Sequence, residues 1–119
     1  MLSHPRKFLL TGGTSGIGRE LVDRLDDAGH QVVVMARSET ALDALKAERP
    51  SVAVHRCDLS NQEDIEEAIQ EVWAEHPDIS VLINNAGVQF PPQLHEVGFR
   101  FDSILYETTV NFLAPVWLT

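Results

Sequence analysis

The chain has 119 residues, 44% of them hydrophobic and 23% charged, a balance that fits a single soluble globular domain. Its formal net charge of −9, with nine Lys and Arg scattered along it, excludes a nucleic-acid-binding surface and reads as a solvated, acidic exterior. A lone cysteine, Cys57, excludes an internal disulfide and points to the reducing cytoplasm, while Met1–Lys7 leads into no long apolar segment, so neither a signal peptide nor a membrane span is expected.

Short apolar runs alternate with helix-period segments, and no internal repeat or low-complexity tract interrupts them. Phe8–Leu10 predicts the first strand. Residues 16–28 predict a helix with Ile17, Leu21, Leu25 and Ala28 on one face and Gly29 as its left-handed stop. Gln31–Ala36 predicts a second strand, apolar on both faces as in a buried parallel sheet. Ser38 caps a second helix that buries Ala41, Leu42 and Leu45 and ends before Pro50. Val52–Val54 is the third strand. Ser60-Asn61-Gln62-Glu63 has the form of a capping box, opening a helix with Ile65, Ile69, Val72 and Trp73 on its apolar side and His76-Pro77 at its end. Ile79–Ile83 is the fourth strand, and Tyr106–Thr119 predicts a last helix with Pro115 inside it. Links this short imply right-handed βαβ crossovers. The fold class is therefore α/β: a Rossmann-like, doubly wound parallel sheet of about four strands, order 3-2-1-4.

The strongest chemical signal is Thr11-Gly12-Gly13-Thr14-Ser15-Gly16-Ile17-Gly18, directly after the first strand. Gly12, Gly16 and Gly18 fall where a chain must turn tightly, pass its backbone close to a pyrophosphate and start a helix packed on the sheet. The helix start offers unpaired N–H groups and the positive end of its dipole to phosphate. In this strand–turn–helix context the segment reads as a dinucleotide site rather than a structural turn.

The end of the second strand refines that reading. An acid about 20 residues past the glycines commonly holds the adenosine ribose hydroxyls. Here the segment is Met35-Ala36-Arg37-Ser38. A carboxylate would repel a 2′-phosphate, whereas the Arg37 guanidinium, with Ser38 beside it, can grip one, which points to NADP(H) over NAD(H). The competing reading leaves Arg37 as a solvated residue at a helix entrance. Asp58 follows the third strand and either accepts a hydrogen bond from an adenine amino group or caps the next helix. Asn84-Asn85-Ala86-Gly87 at the fourth strand's end is by itself a turn signal that leaves room for a flat ligand.

In order and spacing these segments resemble the short-chain dehydrogenase/reductase family over almost the whole chain. The resemblance implies that Thr11–Gly18 binds the cofactor diphosphate and that Asp58 and Leu59 flank adenine. It puts Asn85, Ala86 and Gly87 along the adenosine ribose, with Asn84 bracing the sheet. Asn111, in Val110-Asn111, matches the asparagine that helps hold the family's active-site lysine through water. The implied cofactor is a nicotinamide dinucleotide, and the implied reaction is hydride transfer at a carbonyl or alcohol carbon.

The family's catalytic Ser and Tyr-x-x-x-Lys find no match. Tyr106, the sole tyrosine, is followed by Glu107, Thr108, Thr109 and Val110, and neither Lys7 nor Lys46 is placed to substitute. Residues 1–119 are accordingly expected to be a dinucleotide-binding domain cut short on its C-terminal side and inactive alone. The alternative is a non-catalytic nucleotide-binding or protein-interaction module built on a half Rossmann fold. His4, His30, His55, His76 and His95 lack metal-ligand spacing, so no metal is expected. Cys57 is expected to be a buried structural thiol, His30 and His55 surface or satisfied polar positions, and Trp73 and Trp117 core or contact residues. An apolar fourth strand and last helix lead to the expectation of a homo-oligomer that covers both.

Overall fold

The computed structural model describes residues 4–87 and 109–119. Four strands, β1 (Lys7–Thr11), β2 (Gln31–Ala36), β3 (Ala53–Arg56) and β4 (Val81–Asn84), form one sheet in the order β3-β2-β1-β4. Every pairing is parallel, with Leu9 beside Val33 and Leu82, and Val34 beside Val54. This is the expected 3-2-1-4 order. β3 and β4 each begin one or two residues later than their apolar runs suggest.

Between the strands run α1 (Gly16–Asp27), α2 (Glu39–Glu48) and α3 (Gln62–Glu75). Strand alternation sends Leu10, Val32 and Val34 into one core with Val22, Leu42, Leu45 and Val52. Leu9, Val33 and Met35 go to the other, with Ile65, Ala68, Val72, Val110 and Ala114. The doubly wound layering follows from strands that are apolar on both faces. No described helix is long and apolar enough to cross a membrane.

The helix ends have clear local causes. The Ser38 hydroxyl accepts the Ala41 N–H, as the cap reading requires, and Gly29 takes φ +88° just beyond α1. At α3 the expected capping box does not form. Asn61 is the cap, accepting the Asp64 N–H, while the Ser60 hydroxyl donates to Asp58.

Three side chains lie elsewhere than their periodicity implies. α1 buries the line through Gly18 and Val22, with Leu21 and Leu25 flanking it, while Ile17 is 77% exposed and Ala28 faces water. The reason is Gly18: lacking a Cβ, it lets the helix approach the β1 turn along its own edge and rotates its neighbours outward. On α3 the buried positions are Ile65, Ala68 and Val72, and Trp73 stands beside that line, 59% exposed. Trp117 does pack against the core. His30 is buried, with its Nδ1 accepting the Arg6 N–H at 3.0 Å, a satisfied polar position. The last segment is not one helix: Thr109–Leu113 winds as a π-helical turn, and α4 (Ala114–Leu118) follows with Pro115 in its first turn, where proline fits. Tyr106–Thr108 lie outside the described residues.

Core and surface separate under substitution. Leu10→Ala empties a fully buried site and is expected to lower the unfolding free energy by about 3 kcal/mol, whereas Ile17→Ala should change it by less than about 0.5 kcal/mol. Denaturant titration of both variants checks the difference, and a large loss in Ile17→Ala would contradict the orientation of α1.

Candidate functional site

The turn after β1 is held by a small polar knot. Thr11, only 1% exposed, accepts the N–H groups of both Asn85 and Ala86 through its Oγ1, each at 3.1 Å. The Asn85 side chain donates from Nδ2 to the Gly12 carbonyl at 3.1 Å, and the Gly12 N–H donates to the Met35 carbonyl at 3.0 Å. These bonds tie the C-terminal end of β1 to those of β4 and β2. The cross-link to the turn thus comes from Asn85. Asn84, which the resemblance names as the brace, sits in β4 opposite Thr11 in register.

Two glycines make the knot possible. Gly12 adopts φ +75°, and a Cβ there would stand 2.8 Å from the Ala86 Cα. At Gly18 a Cβ would overlap both the Gly12 carbonyl oxygen and the Asn85 Nδ2, the two atoms that bond. Ser15 precedes α1 in extended geometry and its side chain makes no capping bond. The first N–H groups of a twelve-residue helix therefore stay available, with the positive end of the dipole behind them.

Beyond the turn, across the C-terminal ends of all four strands, lies a cavity of about 400 Å³. Gly12, Thr14 and Ser15 form one wall, and Met35, Ala36, Arg37 and Ser38 another. Cys57, Asp58 and Leu59 close the β3 side, Asn85, Ala86 and Gly87 the β4 side, and Val110 contributes from the last segment. Ten expected site residues are thus brought to one cavity. Thr11 and Gly18 lie behind it as supports, and Gly16 and Ile17 form the first turn of α1. Asn111 stands outside the wall with its Oδ1 3.3 Å from where a Gly87 Cβ would be.

Met35, Cys57 and Val110 are wall residues that the motifs did not single out. Met35 ends the β2 apolar run and Cys57 follows β3, so the rule that open α/β sheets bind at carboxyl strand ends was the available signal. Burial pushes the Cys57 thiol up to about 12, with Asp64 and Asp58 adding to the effect, so it is an apolar wall and not a nucleophile.

A family model described as short chain dehydrogenase matches residues 6–119. The chain belongs to the short chain dehydrogenase family. It is 36% identical over 115 residues to an uncharacterized oxidoreductase, DltE, of Bacillus subtilis, covering 93% of this chain and 44% of that protein. Among solved structures it superposes on a short-chain dehydrogenase from Streptomyces avermitilis with TM-score 0.83 and 28% identity, over all of this chain and 43% of that one. A short-chain dehydrogenase from Sphingobium yanoikuyae, solved in complex with NADPH, gives TM-score 0.78 and 32% identity over 95% and 45% of the two chains. The chain therefore spans less than half the length of each of these relatives.

Within this family member, Asp58 sits under opposing influences. Burial works against its charged form. Hydrogen bonds to Oδ1 from the Ser60 N–H and hydroxyl, with the nearby Arg37 and Arg56 guanidiniums, outweigh that and hold the carboxyl below its usual range. Asp58 is an anion at neutral pH, half engaged in a local turn.

The knot is testable through its acceptor. Thr11→Val keeps the volume but strands two partly buried N–H groups, and should lower the unfolding free energy by about 1 to 2 kcal/mol. Thr11→Ser should recover most of the loss. Equal losses in both, measured by thermal and urea unfolding, would assign Thr11 to packing alone.

Proposed function

We propose that this chain forms the NADP(H)-binding part of an oxidoreductase that moves a hydride between a nicotinamide and a carbonyl or alcohol carbon. The observation that carries the reading is the convergence of the glycine turn, Arg37, Asp58 and Asn85–Gly87 on one cavity at the carboxyl ends of the strands. The fit to a dinucleotide rests on Gly12 and Gly18, where a Cβ would collide with Ala86, the Gly12 carbonyl and Asn85 and break the knot that shapes the turn. The preference for the phosphorylated form rests on Arg37 at the end of β2.

Each wall then has a task. The first N–H groups of α1, with Thr14 and Ser15, hold the diphosphate, and the turn before them keeps side chains out of its way. Arg37 grips the 2′-phosphate from the end of β2, where Met35-Ala36-Arg37-Ser38 offers no carboxylate to repel it. Asp58 accepts from the adenine amino group through Oδ2, the oxygen that takes no part in the Ser60 turn, and Leu59 covers the ring. Asn85, Ala86 and Gly87 border the ribose. Asn111, on the side of Gly87 where a Cβ would point, supports a water-linked active-site lysine.

The bound nicotinamide supplies the hydride, and proton transfer requires a separate acid. Tyr106, the one tyrosine in these 119 residues, has Val110 four positions on, so nothing within them pairs a phenol with a lysine. We therefore assign them binding without turnover, as a dinucleotide-binding domain spanning residues 1–119. The buried, inert Cys57 suits a cytoplasmic setting.

Phe112 and Val116 on the last segment are exposed apolar residues, and β4 pairs on one side with β1. We assign these surfaces to a homo-oligomer. Light scattering at micromolar concentration should give at least a dimer, and a well-behaved monomer would overturn the assignment.

The cofactor preference has a direct test. Arg37→Asp is expected to weaken NADPH roughly tenfold or more while leaving NADH within about twofold, read by fluorescence titration of both cofactors. Equal losses for the two would contradict the phosphate clamp.

A further inference from the structure

We propose that Arg56 is a second specificity-determining residue for the 2′-phosphate, acting with Arg37 across the β2–β3 edge. The inference rests on the NADP(H) reading above and deepens it. Arg56 ends β3 and pairs in register with Ala36, the residue before Arg37, and the Cys57 N–H donates to the Ala36 carbonyl at 2.9 Å. Arg56 is not itself a wall residue, but its register partner Ala36 and its chain neighbour Cys57 both line the cavity, on strands about 4.8 Å apart, so it stands at the outer side of the cavity's β2–β3 corner. Both guanidiniums act on the Asp58 carboxylate in that corner.

The other cations among the described residues set Arg56 apart by what they already hold. Lys7 binds Asp78, and Arg6 precedes β1 at the opposite end of the sheet. Arg19 is held by Asp23 and Glu48, and Arg24 by Glu20. Arg49 bonds Asp23, Asp26 and Asp27 together, which fastens α2 to α1. Lys46 donates to the carbonyls of Pro50 and Val52. Arg56 differs from all of these. Its ion pair is a single long contact, Nη1 to Asp64 Oδ2 at 3.4 Å, on a side chain that is 49% exposed. Such a pair is weak and readily exchanged for a better anion.

The charge also matches. A phosphomonoester carries about −1.5 to −2 at pH 7, more than one guanidinium neutralises. In a chain of net charge −9, a second cation at this corner offsets repulsion that the diphosphate-binding wall, built from backbone N–H groups, leaves unopposed. Asp64 then acts as a placeholder that keeps Arg56 near the corner and releases it to the phosphate.

NADPH and NADH affinities of the wild type, Arg56→Gln, Asp64→Asn and Arg37→Asp test this. Arg56→Gln should reduce the NADPH-over-NADH preference about two- to fivefold with NADH unchanged, and should flatten the salt dependence of NADPH binding. Asp64→Asn, which keeps Arg56 and removes its competitor, should raise the preference. If Arg37→Asp abolishes the preference while Arg56→Gln leaves it intact, or if Asp64→Asn lowers it, the role of Arg56 is overturned and that of Arg37 stands. A wild type that binds both cofactors equally overturns both.

Discussion

Everything at the cavity depends on the closeness of Gly18 to the Gly12 carbonyl and the Asn85 carboxamide. With no Cβ in the way, the helix start, the end of β1 and the end of β4 share one hydrogen-bonded junction. Thr11 completes it by accepting two partly buried N–H groups through one hydroxyl. The Gly12 N–H extends it to β2 through the Met35 carbonyl, so the wall bearing Arg37 is set by the same turn. A side chain at position 18 would push the helix away from the strands, moving its open N–H groups relative to every other wall. The helix start and the sheet edge are thus one construction, and neither is adjustable alone.

The electrostatic design follows from the charge balance. Most of the cations in this acidic chain are spent on holding it together, Arg49 most of all, with three carboxylates of α1 around it. Among the described residues, the positive groups at the carboxyl strand ends are the helix start of α1, Arg37 and the loosely paired Arg56. The charged side chains of the cavity wall are Arg37 and Asp58, one of each sign, so the positive patch is local to the end of β2 and the start of α1. Salt-sensitive association is the natural consequence of such a patch.

The sheet was legible in the sequence because Val32-Val33-Val34-Met35 and its companions are apolar on both faces, and that pattern has few other uses. The glycine turn was legible because its residue types answer a steric demand. Helix orientation was less so. Ile17 and Ala28 satisfy a helical period, but the α1 contact line is set by Gly18, a residue that periodicity counts as neutral. Likewise Ser60 matches a capping box in type, yet Asp58 two residues earlier captures its hydroxyl and leaves the cap to Asn61. Val110 could not be read as a wall of the cavity, because it arrives from a π-helical turn far along the chain. Such contacts depend on the lateral order of elements, which a one-dimensional pattern does not carry.

Asp58 shows why two readings of one residue need not compete. Sequence position allowed a role in local capping or one toward a bound ring, and the carboxylate has two oxygens to divide between them. Oδ1 accepts both the N–H and the hydroxyl of Ser60, which fixes the side chain's rotation in the turn leading to α3. That fixed rotation orients Oδ2, and the surrounding arginines keep the group ionised and hence an acceptor. The structural bond is therefore what makes a directional contact possible: a carboxylate without it would swing between rotamers and lose entropy on binding. Under the proposed adenine contact, local turn chemistry and ligand recognition share one carboxylate, each through its own oxygen.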